Sequence, residues 1–320
     1  MAVEAEGRGH SSDRREFLKT LAAGALAAGL APEAGAAEAG AVAGPSESPG
    51  PLPQITIAGH RIPRMVVGCN PIGGWSHQVH SLTLAMTEYY DQETTQRFLR
   101  QCEKQGLDLW ISYWDDKPLK ALRTIRAEGS RMRCYFMGTL GEDGKLQKEV
   151  LEHKPLFFLH HGNATDDLFR AGKHQQVHDF VKRVHDEMGV ATGVSCHNPD
   201  CVKYMEDKGW EVDLYQCCLY YLTRPKDEIR AKLGGAMLGE SFLDTDRDNM
   251  LKVVRQASKP CFVFKILGAG WHCGSDGEVE DAFRVALQGI KKTDGIIVGM
   301  WPKFKDEITQ NVGFLRKYGS

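Results

Sequence analysis

Polar side chains able to do acid–base or ligand chemistry stand at the ends of this chain's apolar runs. His160 and His161 close LFFLHH, and Ser195, Cys196 and His197 close ATGVSCH. Gln216, Cys217 and Cys218 lie in LYQCC, and Lys265 closes CFVFK, with His272 and Cys273 just beyond. Asn70 and Trp75 follow MVVG. Imidazole titrates near neutrality and can pass a proton in either direction. Imidazole and thiolate also suit zinc or copper. However, His160, Cys196, His197 and Cys217 show no C-x-x-C or H-x-x-x-H spacing, and Cys196 to Cys201 is only a C-x4-C. No metal ligands are assigned; a metal-binding barrel stays as an alternative.

Short β-type runs alternate with helical segments from Gln54 onward. Runs at Met65–Val67, Leu107–Ser112, Cys134–Met137, Leu156–His160, Val190–Ser195, Leu214–Cys218, Cys261–Ile266 and Gly295–Gly299 are each followed by a loop or a helix-like stretch. Thr94–Gln105 is helical by period, with Phe98, Leu99 and Cys102 on one stripe, and His174–Met188 carries Val177, Phe180, Val181 and Val184 on one face. Gln54–Ile57 and Arg61–Ile62 flank Gly59, which suggests a small hairpin ahead of the repeats. Eight strand–helix repeats predict one closed parallel (β/α)8 barrel over 54–320, of the TIM type. No G-x-G-x-x-G follows an early strand, as an open dinucleotide-binding sheet would require. In such a barrel, chemistry sits at the C-terminal strand ends, where the polar residues above fall.

The first residues read differently. Arg14-Arg15 precede Phe17, Leu18 and Lys19. Small residues and leucines run from Leu21 to Ala31, and Ala34-Gly35-Ala36 offers a cleavage site. That order predicts a twin-arginine signal peptide over 1–36, read by the twin-arginine export machinery, and a periplasmic or other extracytoplasmic location. Residues 37–53 are rich in Ala, Gly, Pro and Ser and read as a flexible linker. The chain has 320 residues and a net charge of −2, which offers no basic field for nucleic acid. No apolar run reaches the roughly 18–20 residues of a membrane span. The nine cysteines form an odd, scattered set rather than a disulfide framework. Cys134 and Cys261 fall in strand-like runs and read as small hydrophobes. The Gly- and charge-rich stretch Leu222–Asp244 reads as a loop over the barrel mouth.

Taken together, RIPRMVVGCNPIGG at 61–74, FLHH at 158–161, ATGVSCHNP at 191–199, LYQCCLYY at 214–221 and Gly299 through Gln310-Asn311 resemble the aldo-keto reductases in order and spacing. The resemblance implies NADP and a small carbonyl or alcohol substrate. It implies that Ser195 and Gln216 hold the nicotinamide carboxamide, with Tyr220 or Tyr221 on the ring. Lys265, Gly299, Lys303 and Asn311 would hold the rest of the cofactor. The family's Tyr is helped by an Asp, a Lys and a His. Here Ile111 stands at the Asp, Asp116 lies near the Tyr position, and Phe136–Thr139 covers the Lys. His160 is the retained group and the expected proton donor, with Tyr113, three residues early, as the substitute phenol. The expectation is therefore an oxidoreductase with a degenerate tetrad. The alternatives are an inactive exported binding protein or the metal-binding barrel.

Overall fold

The computed structural model describes residues 50–141, 143–235 and 237–320. The expected leader and nearly all of the linker lie outside the described residues.

A hairpin of β1 (Gln54–Ile57) and β2 (His60–Pro63) precedes the barrel. It turns through Ala58 and Gly59 at φ 47° and 79°, the left-handed pair a tight hairpin turn requires. Eight parallel strands then close on themselves: β3 (Met65–Val67), β4 (Leu109–Ile111), β5 (Arg133–Gly138), β6 (Phe157–His160), β7 (Ala191–Cys196), β8 (Leu214–Cys218), β9 (Cys261–Phe264) and β10 (Gly295–Val298). β10 returns to β3 with Ile297 beside Val66. The chain is a (β/α)8 barrel.

The short runs close this way because both faces of each strand are buried, which demands near-continuous apolar sequence. Val66, Leu109, Ile111, Tyr135, Phe157, Leu159, Leu214, Phe262 and Ile297 point inward, and the hairpin's Ile55, Ile57 and Ile62 join them as a plug. Trp110, Phe136, Phe158, Val194, Tyr215 and Val263 point outward against the helices. Gly193 is required in the barrel wall, since a Cβ there would run into the carbonyl oxygen of Leu214.

The helices are α1 (Asn70–Gly73), α2 (His80–Tyr89), α3 (Gln92–Lys104), α4 (Asp116–Ala127), α5 (Gly162–Arg170), α6 (His174–Met188), α7 (Pro199–Asp207), α8 (Lys226–Leu233), α9 (Asp244–Gln256), α10 (Asp276–Gly289) and α11 (Glu307–Tyr318). On α3 the stripe Phe98, Leu99 and Cys102 is buried, as its period predicts. Burying the Phe and the Leu contributes about 2–3 kcal/mol each. Asp91 caps the helix by accepting the Thr94 N–H at 2.7 Å.

Four helices, α1, α2, α5 and α8, have no counterpart in the sequence reading. α2 and α8 have no buried residue, so neither carries the apolar stripe that marks a helix. α5 begins two residues after β6 and spans nine residues. The stretch 222–244 is therefore not all loop. Eight cysteines are buried and Cys273 is exposed. Among the described residues, no helix is long and apolar enough to cross a membrane.

At the closed end, buried Arg64 donates to the carbonyls of Asp294, Gly319 and Lys291, each at 2.9 Å. This ties the start of β3 to the last residues of the chain.

Candidate active site at the barrel mouth

A cavity of about 490 Å³ opens at the C-terminal strand ends. Its floor is Ile111, Met137, Gln216 and Phe264. From there it passes Lys265 and runs between the ends of β9 and β10 to Trp301, Gln310 and Asn311 at the start of α11. Gly68 and Gly299 let the ends of β3 and β10 approach. A Cβ on Gly68 would meet the Gly299 nitrogen at 2.7 Å, and one on Gly299 would meet Pro71 Cδ at 2.8 Å.

The outer wall carries unsatisfied polar atoms. Trp301 Nε1, Gln310 Oε1 and Asn311 Nδ2 are buried and, among the described residues, have no hydrogen-bond partner. A buried polar group without a partner costs about 1–3 kcal/mol, and these three are covered by neighbouring protein atoms while their side chains line the cavity. Nearby, Lys305 pairs with Asp276 at 2.9 Å. Glu307 accepts the Trp301 N–H at 2.7 Å, and burial pushes its carboxyl up.

The floor is polar at one point. Gln216 Oε1 accepts from the Tyr135 hydroxyl at 2.9 Å, and its Nε2 donates to Ser195 Oγ at 3.3 Å. Behind Ser195 lies a hub the sequence reading missed. His197 Nδ1 bonds Asp166 Oδ2 at 2.8 Å. The same carboxylate accepts the backbone N–H groups of His197 and Asn198 at 3.0 and 3.2 Å and the Thr223 hydroxyl at 2.8 Å. Gly162 leaves room here, since a Cβ would lie 3.0 Å from Ser195 Oγ and 3.1 Å from His197 Cε1. Two polar pairs thus face each other across Gly162, Asp166–His197 on one side and Ser195–Gln216, which reaches the cavity floor, on the other. His161 stands beside it, its imidazole pushed down by burial and by His197.

Lys265 ends β9 at φ 60°, an uncommon conformation for a residue with a side chain. Burial lowers its pKa, and Cys218, Glu240 and Cys69 oppose that. Glu240 comes from the stretch after α8 and reaches across to His77 Nδ1 at 2.9 Å. His77 is held in turn by Asn70 at 2.9 Å. This latch joins the loop after β3 to the loop after β8 over the mouth.

Two expected catalytic groups are placed otherwise. His160 does not face the mouth: it points outward from β6, packs edge-on against Phe180 and bonds the Thr165 hydroxyl at 2.7 Å. Burial pushes its pKa down to about 4. The reason is the two-residue alternation of a strand, which turns Leu159 inward and His160 out. Tyr113 does reach the mouth, edge-on against Trp75 at 4.6 Å, but burial, Cys69 and Asp115 push its phenol up, the wrong direction for an acid near neutrality.

The expected cofactor residues divide. Gln216, Lys265, Gly299 and Asn311 line the cavity, and Ser195 lies directly under Gln216. Tyr220 does not line it: its hydroxyl bonds His272 at 2.9 Å, and its ring packs on Phe242. Lys303 is exposed and lies over the rings of Trp301 and Phe304 at 5.8 and 5.7 Å. Among the described residues, no group of three His, Cys, Asp or Glu side chains is placed to hold a metal ion.

No protein-family model matches the chain, and no curated protein matches it. Solved structures do. The glycerol dehydrogenase from Gluconobacter oxydans is 12% identical over 83% of this chain and 96% of its own, with a TM-score of 0.50. An aldo/keto reductase from Brucella melitensis is 13% identical over 82% of this chain and 98% of its own, at 0.44. A truncated 3-deoxy-D-arabino-heptulosonate 7-phosphate synthase from Thermotoga maritima is 12% identical over 83% and 90%, at 0.48. At these identities the likeness is one of fold.

Proposed function

We propose that this barrel, which resembles the aldo-keto reductases, is an oxidoreductase whose cleft takes a nicotinamide dinucleotide, NADP in form, and a small carbonyl or alcohol substrate. The observation that carries the reading is one elongated cavity whose lining gathers Gln216, Lys265, Gly299 and Asn311, the residues expected to hold the cofactor. The side chains of Trp301, Gln310 and Asn311 line its far end, where the rest of an elongated ligand would lie.

The fit is good at that end and tighter at the floor. Lys303 and Lys305 stand beside the orphaned atoms and suit phosphate oxygens. At the floor, Ser195 and Gln216 are bonded to each other, so a carboxamide would share their remaining lone pairs and protons. The nucleotide supplies a hydride when bound. The protein's role is to exclude water with the latch His77–Glu240 and to manage the accompanying proton. Tyr113 and His160 are poor carriers for the reasons above. The pair His197–Asp166 is the better one: Asp166 fixes the imidazole through Nδ1, and only the space above Gly162 separates the ring from Ser195, which Gln216 bonds at the cavity floor.

Isothermal titration of the folded protein with NADPH and NADH tests this. Micromolar binding of either supports the reading; binding of neither sinks it. A second reading, binding without turnover, is favoured by the outward placement of His160. It predicts a bound nucleotide that is never oxidised.

The paired Arg14-Arg15 supports export by the twin-arginine route, which we also propose. Changing both to Lys should retain the protein in the cytoplasmic fraction.

A further inference from the structure

Lys265 lines the cavity, and among the described residues its Nζ has neither an ion-pair nor a hydrogen-bond partner. The other charged groups nearby are engaged. Lys305 pairs with Asp276, Glu307 takes the Trp301 N–H, and Glu240 is bonded to His77. An unpaired ammonium among desolvating neighbours is costly, and a Met or Leu there would fill the same space without that cost. The residue is also held at φ 60°, against the preference of any side-chain-bearing residue.

The surroundings say what would relieve the charge. The cavity that Lys265 lines also carries the apolar side chains of Ile111, Met137, Phe264, Ile297, Leu82 and Met86. Among the described residues Glu240 is the carboxylate whose charge acts on Lys265, and it would repel a second negative group. We infer that Lys265 is an anion post and that the inner chamber takes an apolar monocarboxylate: one carboxyl group on an aryl or medium-chain alkyl body. The carboxylate meets Nζ, and the body lies on the apolar walls. This names a ligand class beyond the nucleotide reading and does not rest on it, because the post serves the inner chamber whether or not a dinucleotide fills the outer arm.

The test is calorimetric titration of the whole folded chain with 4-phenylbutyrate and with its neutral amide, without nucleotide. The acid is expected to bind about tenfold more tightly than the amide, as a charge-assisted hydrogen bond implies. Lys265→Met should erase that preference while leaving amide binding within about twofold, and Lys265→Arg should retain some of it. Should Lys265→Met fail to fold, Lys265→Gln serves the same comparison. Equal binding of acid and amide by the unaltered protein, no binding of the acid, or a preference that survives in the variant overturns the inference. So does a Lys265→Met that loses NADPH affinity but keeps the acid preference, since the post would then belong to a phosphate. Failure of NADPH to bind would sink the nucleotide reading and leave the carboxylate result standing.

Discussion

His197 and Asp166 are joined twice, side chain to side chain at 2.8 Å and backbone N–H to carboxylate at 3.0 Å. One carboxylate thus fixes both the ring and the main chain at the end of β7. Asp166 also holds Asn198 and Thr223, so it gathers the ends of β7, α5 and the loop after β8. Asp166→Ala leaves several buried donors without an acceptor. We expect a loss of about 3–5 kcal/mol, read as a fall in urea midpoint, as for other buried charged networks.

Asn311 separates binding from folding. Among the described residues its Nδ2 has no partner, so Asn311→Leu removes an unsatisfied group. The variant should melt no lower than the parent. Its NADPH affinity should fall by roughly two- to tenfold, the worth of one hydrogen bond of about 0.5–1.5 kcal/mol. Unchanged affinity would place the nucleotide elsewhere.

The two glycines of the mouth should respond unequally. A Cβ on Gly68 meets backbone of β10, whereas one on Gly299 meets the Pro71 ring. Gly68→Ala must push apart a pair of hydrogen-bonded strands and should cost about 1–3 kcal/mol. Gly299→Ala should cost less. Thermal melts of the pair give the order directly.

His160 should make the fold acid-sensitive. Its pKa is pushed down to about 4 by burial and by His161, against an unfolded value near 6.5. Below pH 6.5 the unfolded chain takes up a proton that the folded chain refuses. Stability therefore falls as pH drops from about 6.5 to 4, by roughly 3 kcal/mol in full, and is unaffected above 6.5. His153 and His161 are shifted the same way and add to the slope. His160→Gln should flatten the dependence of the urea midpoint on pH across that window.

The barrel was legible in the sequence because each strand is apolar on both faces, and LYQCC or CFVF stands out from polar loops. The same property hid which way the strand residues point. In LFFLHH there is no polar–apolar alternation to separate the inward face from the outward one, so nothing in the run shows that His160, expected as the proton donor, points outward. The cavity residues Gln216, Lys265, Gly299 and Asn311 were reachable through family order. Asp166, His77 and Glu240 were not: they come from a short helix and two loops, and only the closed barrel brings them to the mouth.

Arg64 holds β3 to Lys291, Asp294 and Gly319, and Gly319 lies so close to Pro53 that a Cβ on it would be 3.3 Å from the proline ring. The barrel is thus nearly a ring along its covalent thread as well as across its hydrogen bonds. A few residues would bridge the gap, and the chain could then be cut anew in the exposed stretch around α8. Such a rewired molecule would carry its ends in the stretch that leads to Glu240, where a reporter fused to them would sense whether the latch to His77 is closed.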